Sequence, residues 1–302
     1  MVGAYQGRYR SFLRLKGTVT SLSDQRVLVL GANGQLGKAL RAEFPQAVFY
    51  SRAECDLAYK EQVQALPIDQ FDVVINAAAY TAVDAAESTE GAALAEAVNA
   101  NSVEILAASS AEHGVLLVHV STDYVFDGTQ ITPYIETDEF NPLGVYAKTK
   151  AQGDLAVMTV PRHYLLRTSW VIGEGNNFVR TMASLAERGI KPSVVNDQIG
   201  RLTFTKDLAA AIRHLIESNS PYGTYNLSNE GSASSWADIA SQVYALTGHN
   251  PADVTGVSTA EYFAGKEGIA PRPLWSMLDL SKIEATGFMP DSWEVRLKEY
   301  LT

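Results

Sequence analysis

The sequence predicts an α/β protein built on a doubly wound parallel sheet, with a smaller domain towards its C-terminal end. Three observations predict this fold: short β-branched apolar runs, helical segments between them, and a glycine-rich turn after the first run. Strand–helix alternation at this spacing gives a parallel sheet with right-handed crossovers. A chain of 302 residues is long enough to bury such a core.

The strand pattern occurs four times in the first half of the chain. The predicted strands are residues 27–30, 47–50, 71–76 and 115–120. Segments rich in Ala and Glu, such as residues 89–113, have the composition of helices between them. Gly31, Ser51, Ala77 and Ser121 come at or just after the strand ends. Because ligands bind at the carboxyl edge of such a sheet, we expect these four residues beside a ligand.

The first strand leads directly into a glycine motif, Gly31-Ala32-Asn33-Gly34-Gln35-Leu36-Gly37, and then into a helical pattern. Glycines here permit a tight turn, close approach of the backbone to a pyrophosphate, and close packing of helix on strand. The N–H groups at the start of the helix then face the anion. The motif indicates a Rossmann-like dinucleotide site at Gly31, Asn33, Gly34, Gln35, Leu36 and Gly37. The alternative is a plain glycine-rich turn.

The end of the second strand indicates which dinucleotide binds. An acid there would accept hydrogen bonds from the adenosine ribose and favour NAD. This chain has Ser51-Arg52 instead, with no acid before Glu54. A hydroxyl and a guanidinium suit a 2′-phosphate, so NADPH is the predicted cofactor and NADH the alternative. Arg52 as a solvated surface residue is the other reading.

Three side chains in residues 121–150 form a candidate catalytic set. Thr122 comes at the end of a predicted strand, and Tyr146 and Lys150 are four residues apart, hence one turn apart on a helix. A hydroxyl and a phenol can bind and protonate a carbonyl oxygen. The Lys150 cation is expected to lower the pKa of Tyr146, which is ordinarily about 10. Lys150 can also hold the nicotinamide ribose.

The second half of the chain mixes new elements with segments that return to the sheet. Residues 224–228 predict a strand, and Ser235 is a natural N-cap for a helix that runs to Leu246 and ends at Gly248. Residues 265–275 contain Pro and Gly and predict a loop suited to closing over a ligand. The expected domains are an NADP-binding unit at 26–172 and a mainly substrate-binding unit at 173–302.

Composition excludes several classes of function. The net charge of −10 argues against a nucleic-acid surface, which needs clustered Lys and Arg. No apolar run reaches the roughly 18 residues of a membrane span, and Cys55 is the one cysteine, so we expect a cytoplasmic protein with no membrane partner. The five histidines lack metal-ligand spacing, so no metal is predicted. Residues 1–25 are basic and acid-poor and predict a flexible leader or linker.

Several motifs together resemble those of the extended short-chain dehydrogenase/reductases and, within them, the dTDP-4-dehydrorhamnose reductase family. They are the glycine motif, Asn76-Ala77-Ala78-Ala79-Tyr80-Thr81-Ala82-Val83-Asp84-x-Ala86-Glu87, Ser121-Thr122-Asp123-Tyr124-Val125-Phe126-Asp127-Gly128, Tyr146-x-x-x-Lys150, Arg167-Thr168-Ser169-Trp170-Val171, Asn177-Phe178-Val179, Asp197-Gln198-x-Gly200-Arg201 and Arg272-Pro273-x-x-Ser276-x-Leu278-Asp279. The resemblance extends from about residue 26 to residue 302 and is carried by the order and spacing of the motifs.

The resemblance implies NADPH-dependent reduction of the C4 ketone of dTDP-4-dehydro-L-rhamnose to dTDP-L-rhamnose. Thr122, Tyr146 and Lys150 match the family's catalytic residues. The resemblance also implies further contacts: Ala77, Ala78 and Tyr80 in the cofactor wall, Asp56 and Leu57 near adenine, and Tyr124, Trp170, Asn177, Arg201 and Arg272 in the sugar-nucleotide pocket. It leaves open a homodimer or an upstream epimerase partner.

Alternatives remain at this point. One is a related nucleotide-sugar epimerase or dehydratase with bound NAD, and another is a non-catalytic NADP-binding regulatory subunit. Arg201 and Arg272 could each form an ion pair instead of binding a diphosphate. Trp170 could pack in the core instead of stacking on a ligand.

Overall fold

The computed structural model describes residues 25–302, so most of the predicted leader lies outside the described residues. The described strands are β1 (Val27–Leu30), β2 (Val48–Tyr50), β3 (Val73–Asn76), β4 (Leu116–Thr122), β5 (His163–Thr168), β6 (Val171–Ile172), β7 (Ser193–Val195), β8 (Ile199–Gly200), β9 (Thr203–Phe204), β10 (Gly223–Asn226), β11 (Ser234–Ser235) and β12 (Thr255–Val257). The described α-helices are α1 (Gln35–Glu43), α2 (Lys60–Gln64), α3 (Thr89–Glu96), α4 (Ser102–His113), α5 (Val145–Met158), α6 (Phe178–Glu187), α7 (Thr205–Glu217), α8 (Trp236–Leu246), α9 (Thr259–Tyr262), α10 (Ser281–Glu284) and α11 (Trp293–Leu301).

The central sheet has six strands in the order β10-β5-β4-β3-β1-β2, and every pair in it is parallel. This confirms the predicted fold class. The chain goes from β1 to β2 on one side and then crosses to β3 on the other, so the direction of winding reverses beside β1. A ligand crevice is expected at the carboxyl end of the strands at such a point, which is where Gly31 follows β1.

Alternation of side chains along β1 supplies a core on each face of the sheet. Val27 and Val29 pack in one cluster, with α1 and α7, whereas Leu28 and Leu30 pack in another, with α4. Both faces are covered, which explains why this strand is a continuous apolar run rather than an alternating one.

The C-terminal part has a third core, formed where α6, α8 and α11 pack together around the fully buried Trp293. Other C-terminal elements join the first unit: β10 is an edge strand of the central sheet, and Leu278, Leu280 and Ile283 pack in the cluster beneath α1 and α7. The domain boundary near residue 172 stays a prediction.

Two predicted elements differ from the observed ones in ways that bear on the site. Strand β4 runs two residues past the predicted end, so Thr122 is its last residue and pairs with Thr168 of β5. The helical segment 89–113 contains a π-helical turn at Ala97–Asn101 between α3 and α4. Such a turn holds one extra residue and often occurs at functional sites. Within residues 25–302, no helix is long and apolar enough to span a bilayer.

Candidate active site

A cavity of about 540 Å³ lies along the carboxyl edge of the sheet. This volume is in the usual range of ligand pockets. Thirteen of the residues predicted to bind the cofactor line it: Gly31, Asn33, Gly34, Gln35, Leu36, Ser51, Arg52, Asp56, Leu57, Ala77, Ala78, Tyr146 and Lys150. The turn after β1, the end of β2, the end of β3 and helix α5 therefore meet at one site.

The turn after β1 has the geometry that a dinucleotide requires. Gly31 has a φ of +89°, and a Cβ there would lie 2.7 Å from the backbone nitrogen of Ala78. A Cβ on Gly37 would overlap the carbonyl oxygen of Gly31, so Gly37 serves helix–strand packing rather than lining the cavity. Helix α1 begins at Gly34 with no side-chain cap and no acid in its first turn, which leaves its N–H groups to an anion.

The end of β2 holds a carboxylate that the sequence reading assigned no role. The backbone N–H and the hydroxyl of Ser51 both donate to Glu54 Oε2, at 2.7 and 2.5 Å. These bonds, the hydroxyl's first, hold the pKa of Glu54 below its ordinary value. Arg52 lines the cavity with an exposed side chain. The predicted hydroxyl and guanidinium are thus present, with an acid bonded to the hydroxyl.

The segment that follows β3 forms one wall of the cavity, and the π-helical turn holds it in place. Asn99, within that turn, accepts a hydrogen bond from the backbone N–H of Tyr80 at 2.9 Å and donates to its carbonyl at 3.0 Å. Tyr80 itself does not line the cavity, whereas Ala77 and Ala78 do. The buried hydroxyl of Thr168 also lines the cavity and has no hydrogen-bond partner among the described residues. An unpaired buried hydroxyl suits a polar cofactor group.

The three candidate catalytic residues converge at one end of this cavity. Tyr146 and Lys150 line it from α5, and Thr122 ends β4 beside Ser121, which also lines it. The Thr122 hydroxyl donates to Asp123 Oδ1 at 3.0 Å and accepts from the backbone N–H of Tyr124 at 3.2 Å. These bonds fix the position of the hydroxyl at the strand end.

The pKa of Tyr146 is raised well above its ordinary value. Burial is the main cause, because a phenolate loses hydration there, and the charges of Asp123 and Asp154 add to it. The Thr122 hydroxyl acts in the opposite direction. The net shift of the Tyr146 pKa is therefore upward, which is opposite to the lowering by Lys150 that the sequence predicted. The Lys150 Nζ donates to the Val120 carbonyl at 2.8 Å and lies 3.1 Å from Nε2 of His119.

Lys150 is 2% exposed, and its burial lowers its pKa from 10.5 to about 8. The negative charge of Asp154, one turn further along α5, limits this lowering. Asp154 in turn forms a fully buried ion pair with Arg167 of β5, with 3.0 Å between Oδ2 and Nε. The charges beneath the site are thus arranged as a buried series of Lys150, Asp154 and Arg167.

Asp123 is a second acid that the sequence reading did not place in the site. It is 3% exposed, and burial raises its pKa from 3.8 to about 6, against the bonds from Ser276 and Thr122 that lower it. Its position directly after Thr122, at the end of a buried strand, was the available signal. His119 was also missed, although a histidine inside the apolar run 115–120 is a signal of a buried polar contact.

None of the five residues predicted to contact the sugar nucleotide lines the cavity described above. Tyr124 is adjacent to the catalytic set, since its ring makes an edge contact with Tyr146 at 5.7 Å. Trp170 stacks on Trp236 with 3.8 Å between ring centroids and has a φ of +48°, a strained backbone for a bulky residue. Stacking within the protein was the alternative reading for this residue.

The other three residues are bonded to protein groups. Arg272 forms a bidentate ion pair with Asp84. Arg201 is 7% exposed and donates to the Leu278 carbonyl at 2.6 Å. Asn177 caps α6 and donates to the Gly173 carbonyl at 2.8 Å. The ion-pair alternative thus describes the contact of Arg272 with Asp84 and also that of Arg201 with Glu230, which has 3.6 Å between Nη1 and Oε2. Direct contact of the three with a sugar nucleotide stays a prediction.

Further residues of the cavity lining were not predicted. They are Leu30, Cys55, Ala79, Thr81, Val98, Val120, Thr168, Val171 and Leu208, whereas Ser121, which also lines the cavity, was expected beside a ligand. Leu30, Val120 and Thr168 lie at or near the ends of sheet strands, so position along a strand was their signal. Val98 and Leu208 come from helical segments and had no such signal. Among residues 25–302, no group of three His, Cys, Asp or Glu side chains is placed to hold a metal ion.

The parallel sheet, the glycine turn at a helix start and the Thr122–Tyr146–Lys150 set define an NAD(P)-dependent oxidoreductase. The sequence model described as "RmlD substrate binding domain" matches residues 25–302. The chain belongs to this family, that of the dTDP-4-dehydrorhamnose reductases.

Individual relatives agree with this assignment. The chain is 39% identical to a dTDP-4-dehydrorhamnose reductase of Aggregatibacter actinomycetemcomitans, over 90% of this chain and 97% of that one. It is 36% identical to a probable dTDP-4,6-dihydroxy-2-methyloxan-3-one 4-ketoreductase of Streptomyces antibioticus, over 91% and 94% of the two chains. The crystal structure of a dTDP-4-dehydrorhamnose reductase of Bacillus anthracis in complex with NADP matches with a TM-score of 0.84 and 35% identity, over 91% and 98%.

Proposed function

We propose that this protein reduces the C4 ketone of dTDP-4-dehydro-L-rhamnose with NADPH, giving dTDP-L-rhamnose. One observation carries the proposal: Thr122, Tyr146 and Lys150 meet at one end of a cavity whose remainder has the walls of a dinucleotide site. The names and the NADP complex of the relatives support the substrate and the cofactor.

The cofactor, when bound, supplies the hydride to the ketone carbon. The backbone N–H groups at the start of α1 bind its pyrophosphate, because no side chain or acid occupies that position. Ser51 and Arg52 lie at the adenosine end of the cavity, and Arg52 neutralises a 2′-phosphate there. The free hydroxyl of Thr168 offers a bond to a polar group at the other end.

Tyr146 acts as the general acid. Its raised pKa keeps the phenol protonated throughout the neutral range, and the alkoxide formed by reduction is basic enough to take that proton. The Thr122 hydroxyl turns its proton from Asp123 towards the ketone oxygen, so that oxygen has two donors. Burial of Thr122 and partial burial of Tyr146 strengthen both bonds in the transition state.

Lys150 acts on the phenolate that remains after proton transfer. With a pKa of about 8, the amine is mostly protonated at pH 7 and its charge stabilises the phenolate. The same pKa makes it a ready proton source for the next cycle. Lys150 therefore assists Tyr146 after the proton has left, although it does not lower the resting pKa of that phenol.

Tyr124 and Arg272 are the best placed of the predicted substrate residues. The ring of Tyr124 lies against Tyr146, and the charge of Arg272 acts on the pKa of Tyr124. A guanidinium this close to the reacting end can bind a diphosphate oxygen while its other nitrogens remain on Asp84. We assign the sugar nucleotide to the side of Tyr146 occupied by these two residues.

The deciding experiment measures NADPH oxidation with dTDP-4-dehydro-L-rhamnose in wild type, Tyr146→Phe and Tyr222→Phe. Loss of the Tyr146 hydroxyl is expected to lower kcat by a factor of about 10² to 10⁴, whereas Tyr222, on the surface near Arg162, is expected to leave it unchanged. Equal rates in wild type and Tyr146→Phe would contradict the mechanism. Turnover of a different dTDP-4-ketosugar, with none of this one, would contradict the substrate alone.

A further inference from the structure

A chain of buried hydrogen bonds connects the cofactor wall to Lys150. The backbone N–H of Ala78 donates to Asn76 Oδ1 at 3.1 Å, and Asn76 Nδ2 lies 3.1 Å from Nδ1 of His119. Nε2 of the same imidazole lies 3.1 Å from the Lys150 Nζ. Asn76 and His119 are fully buried. The proposed mechanism gives His119 no role, yet its ring holds the amine that the mechanism needs.

The direction of each bond in this chain follows from its fixed end. A backbone N–H can only donate, so the side-chain atom of Asn76 facing Ala78 is the oxygen and the atom facing His119 is the NH₂ group. Nδ1 of His119 must then be the acceptor, without a proton. In a neutral imidazole the proton is therefore on Nε2, pointing at Lys150.

A donor pointing at Lys150 suits the neutral amine and opposes the ammonium. A neutral amine has a lone pair to accept from Nε2–H and keeps two protons, one of which bonds the Val120 carbonyl. An ammonium has no lone pair, so His119 would have to move its proton to Nδ1 and face the Asn76 NH₂ group with a second donor. Protonation of Lys150 therefore breaks a bond elsewhere in the chain.

We infer that His119 is a positioning residue that, oriented by Asn76, favours the neutral form of Lys150 and so promotes release of its proton during turnover. In that step an N–H bond of the ammonium breaks, an O–H bond forms on the Tyr146 phenolate, and Lys150 becomes the amine that Nε2–H of His119 stabilises. Solvent then returns the proton to Lys150. The kinetic part of the inference rests on the proposed function, whereas the tautomer of His119 does not.

Other charged groups around Lys150 also affect the balance between its ammonium and its neutral amine. Asp154, one turn along α5, favours the ammonium, and Arg167 beside Asp154 weakens that effect. Asp123 and Tyr146 lie on the cavity side, where the acid raises the pKa of the phenol. Burial lowers the pKa of both Lys150 and His119, the charge of Lys150 adding to the second effect. Direct contact with the amine is made by His119 and the Val120 carbonyl.

The first test reads the tautomer directly in protein without cofactor. Histidine is labelled with ¹⁵N, and the His119 signals are identified by their absence in His119→Gln. The spectra are recorded about two pH units above the Lys150 pKa of about 8, where Lys150 is the neutral amine, and there we expect a neutral ring with the proton on Nε2. A ring protonated on Nδ1, or on both nitrogens, would overturn the inference whether or not the protein reduces the sugar.

The second test uses Asn76→Asp to reverse the donor and acceptor directions of the hydrogen bonds between residue 76, His119 and Lys150. A carboxylate keeps the bond from the Ala78 N–H but also accepts from Nδ1–H of His119, so Nε2 becomes an acceptor and favours the ammonium. The Lys150 pKa, read from ¹³C-labelled lysine, and the fall of kcat at high pH are both expected to move up by about one pH unit or more. No movement of either would overturn the inference.

The variant His119→Gln adds no charge, so it separates the effect of the His119 tautomer from the attraction between the Lys150 ammonium and a new carboxylate. In His119→Gln the amide oxygen can accept from the ammonium, so the pKa of Lys150 is again expected to rise. The matched control is His163→Gln, because His163 is buried on the adjacent strand β5 but bonds the Val160 carbonyl. His163→Gln is expected to leave the Lys150 pKa unchanged. An equal shift in both variants, or none in His119→Gln, would overturn the inference.

Discussion

The proposed cofactor side of the site and its proposed substrate side differ in what holds their polar groups. On the cofactor side, backbone N–H groups and glycine conformations make the site, and α1 begins with no side-chain cap. On the substrate side, Arg201, Arg272 and Asn177 are already bonded to protein groups. The first side is built to receive a ligand with little rearrangement, whereas the second must share or exchange its bonds.

The largest expected effect comes from Gly37→Ala on the cofactor side. The new Cβ overlaps the Gly31 carbonyl, so helix α1 must move away from β1, and we expect the free energy of unfolding to fall by about 3 kcal/mol or more. NADPH binding should be lost with it. The control is Gly34→Ala, where φ is −72° and the nearest atom is 3.4 Å away, with an expected stability loss within about 1 kcal/mol. Urea unfolding of both variants measures the difference.

Asp123, where the two sides meet, gives a pH-dependent effect. Its folded pKa of about 6 is above its unfolded value of 3.8, so its contribution to stability is present below pH 3.8 and lost as pH rises through 6. Between pH 4 and 7 the Asp123 carboxyl should therefore lower the free energy of unfolding of the wild type by an amount on the order of 2 kcal/mol, and this decrease should be absent in Asp123→Asn. Urea unfolding of wild type and variant at both pH values tests this.

The control for that measurement is Asp127→Asn. Bonds from Thr129, Asn141 and Tyr134 outweigh the effect of burial and lower the pKa of Asp127 to about 2. The contribution of Asp127 to stability is thus present above pH 3.8 and lost as pH falls towards 2, so its pH dependence has the opposite sign to that of Asp123. Parallel pH dependence in Asp123→Asn and wild type would contradict the prediction.

On the substrate side, Arg272→Ala and Asp84→Ala separate ligand binding from the ion pair. If Arg272 binds the diphosphate, its loss should raise KM for the dTDP-sugar about tenfold, because a charge-assisted bond is lost. Asp84→Ala removes the same ion pair but leaves the guanidinium, so we expect a smaller rise. Steady-state kinetics at saturating NADPH measures both, and equal rises would show that Arg272 acts only through Asp84.

The smallest expected effect is on cofactor preference. Glu54 holds the Ser51 hydroxyl and places a negative charge where a 2′-phosphate is expected. Glu54→Gln should raise the preference for NADPH over NADH about threefold, since exposed charges interact weakly. Glu61→Gln, on α2, is the control. The ratio of kcat/KM for the two cofactors tests the prediction, and a change in favour of NADH would refute it.

The sequence is most informative where backbone geometry shapes the cavity. Gly31 and Gly37 have roles that only glycine can fill, and buried strands such as β1 have a distinctive composition. Ser51 and Glu54 are only three residues apart, so their bond had a local signal, a Ser followed three residues later by a Glu, that was overlooked. The role of Arg201 depends on Leu278, a partner 77 residues away in sequence, and no local pattern specifies such a bond. The direction of the Tyr146 pKa could not be predicted either, because it depends on burial and on where the Lys150 amine points.

The π-helical turn at Ala97–Asn101 interrupts a regular α-helix, and its importance lies in the shape of the neighbouring cofactor wall. Its extra residue directs the Asn99 side chain to both backbone groups of Tyr80 and to the Thr149 hydroxyl of α5. Deleting one residue there would allow an unbroken α-helix through residues 89–113, yet would rotate Asn99 away from all three bonds. Shortening a helix usually harms the helix itself; in this protein the damage would fall instead on the neighbouring wall and on the helix that presents Tyr146.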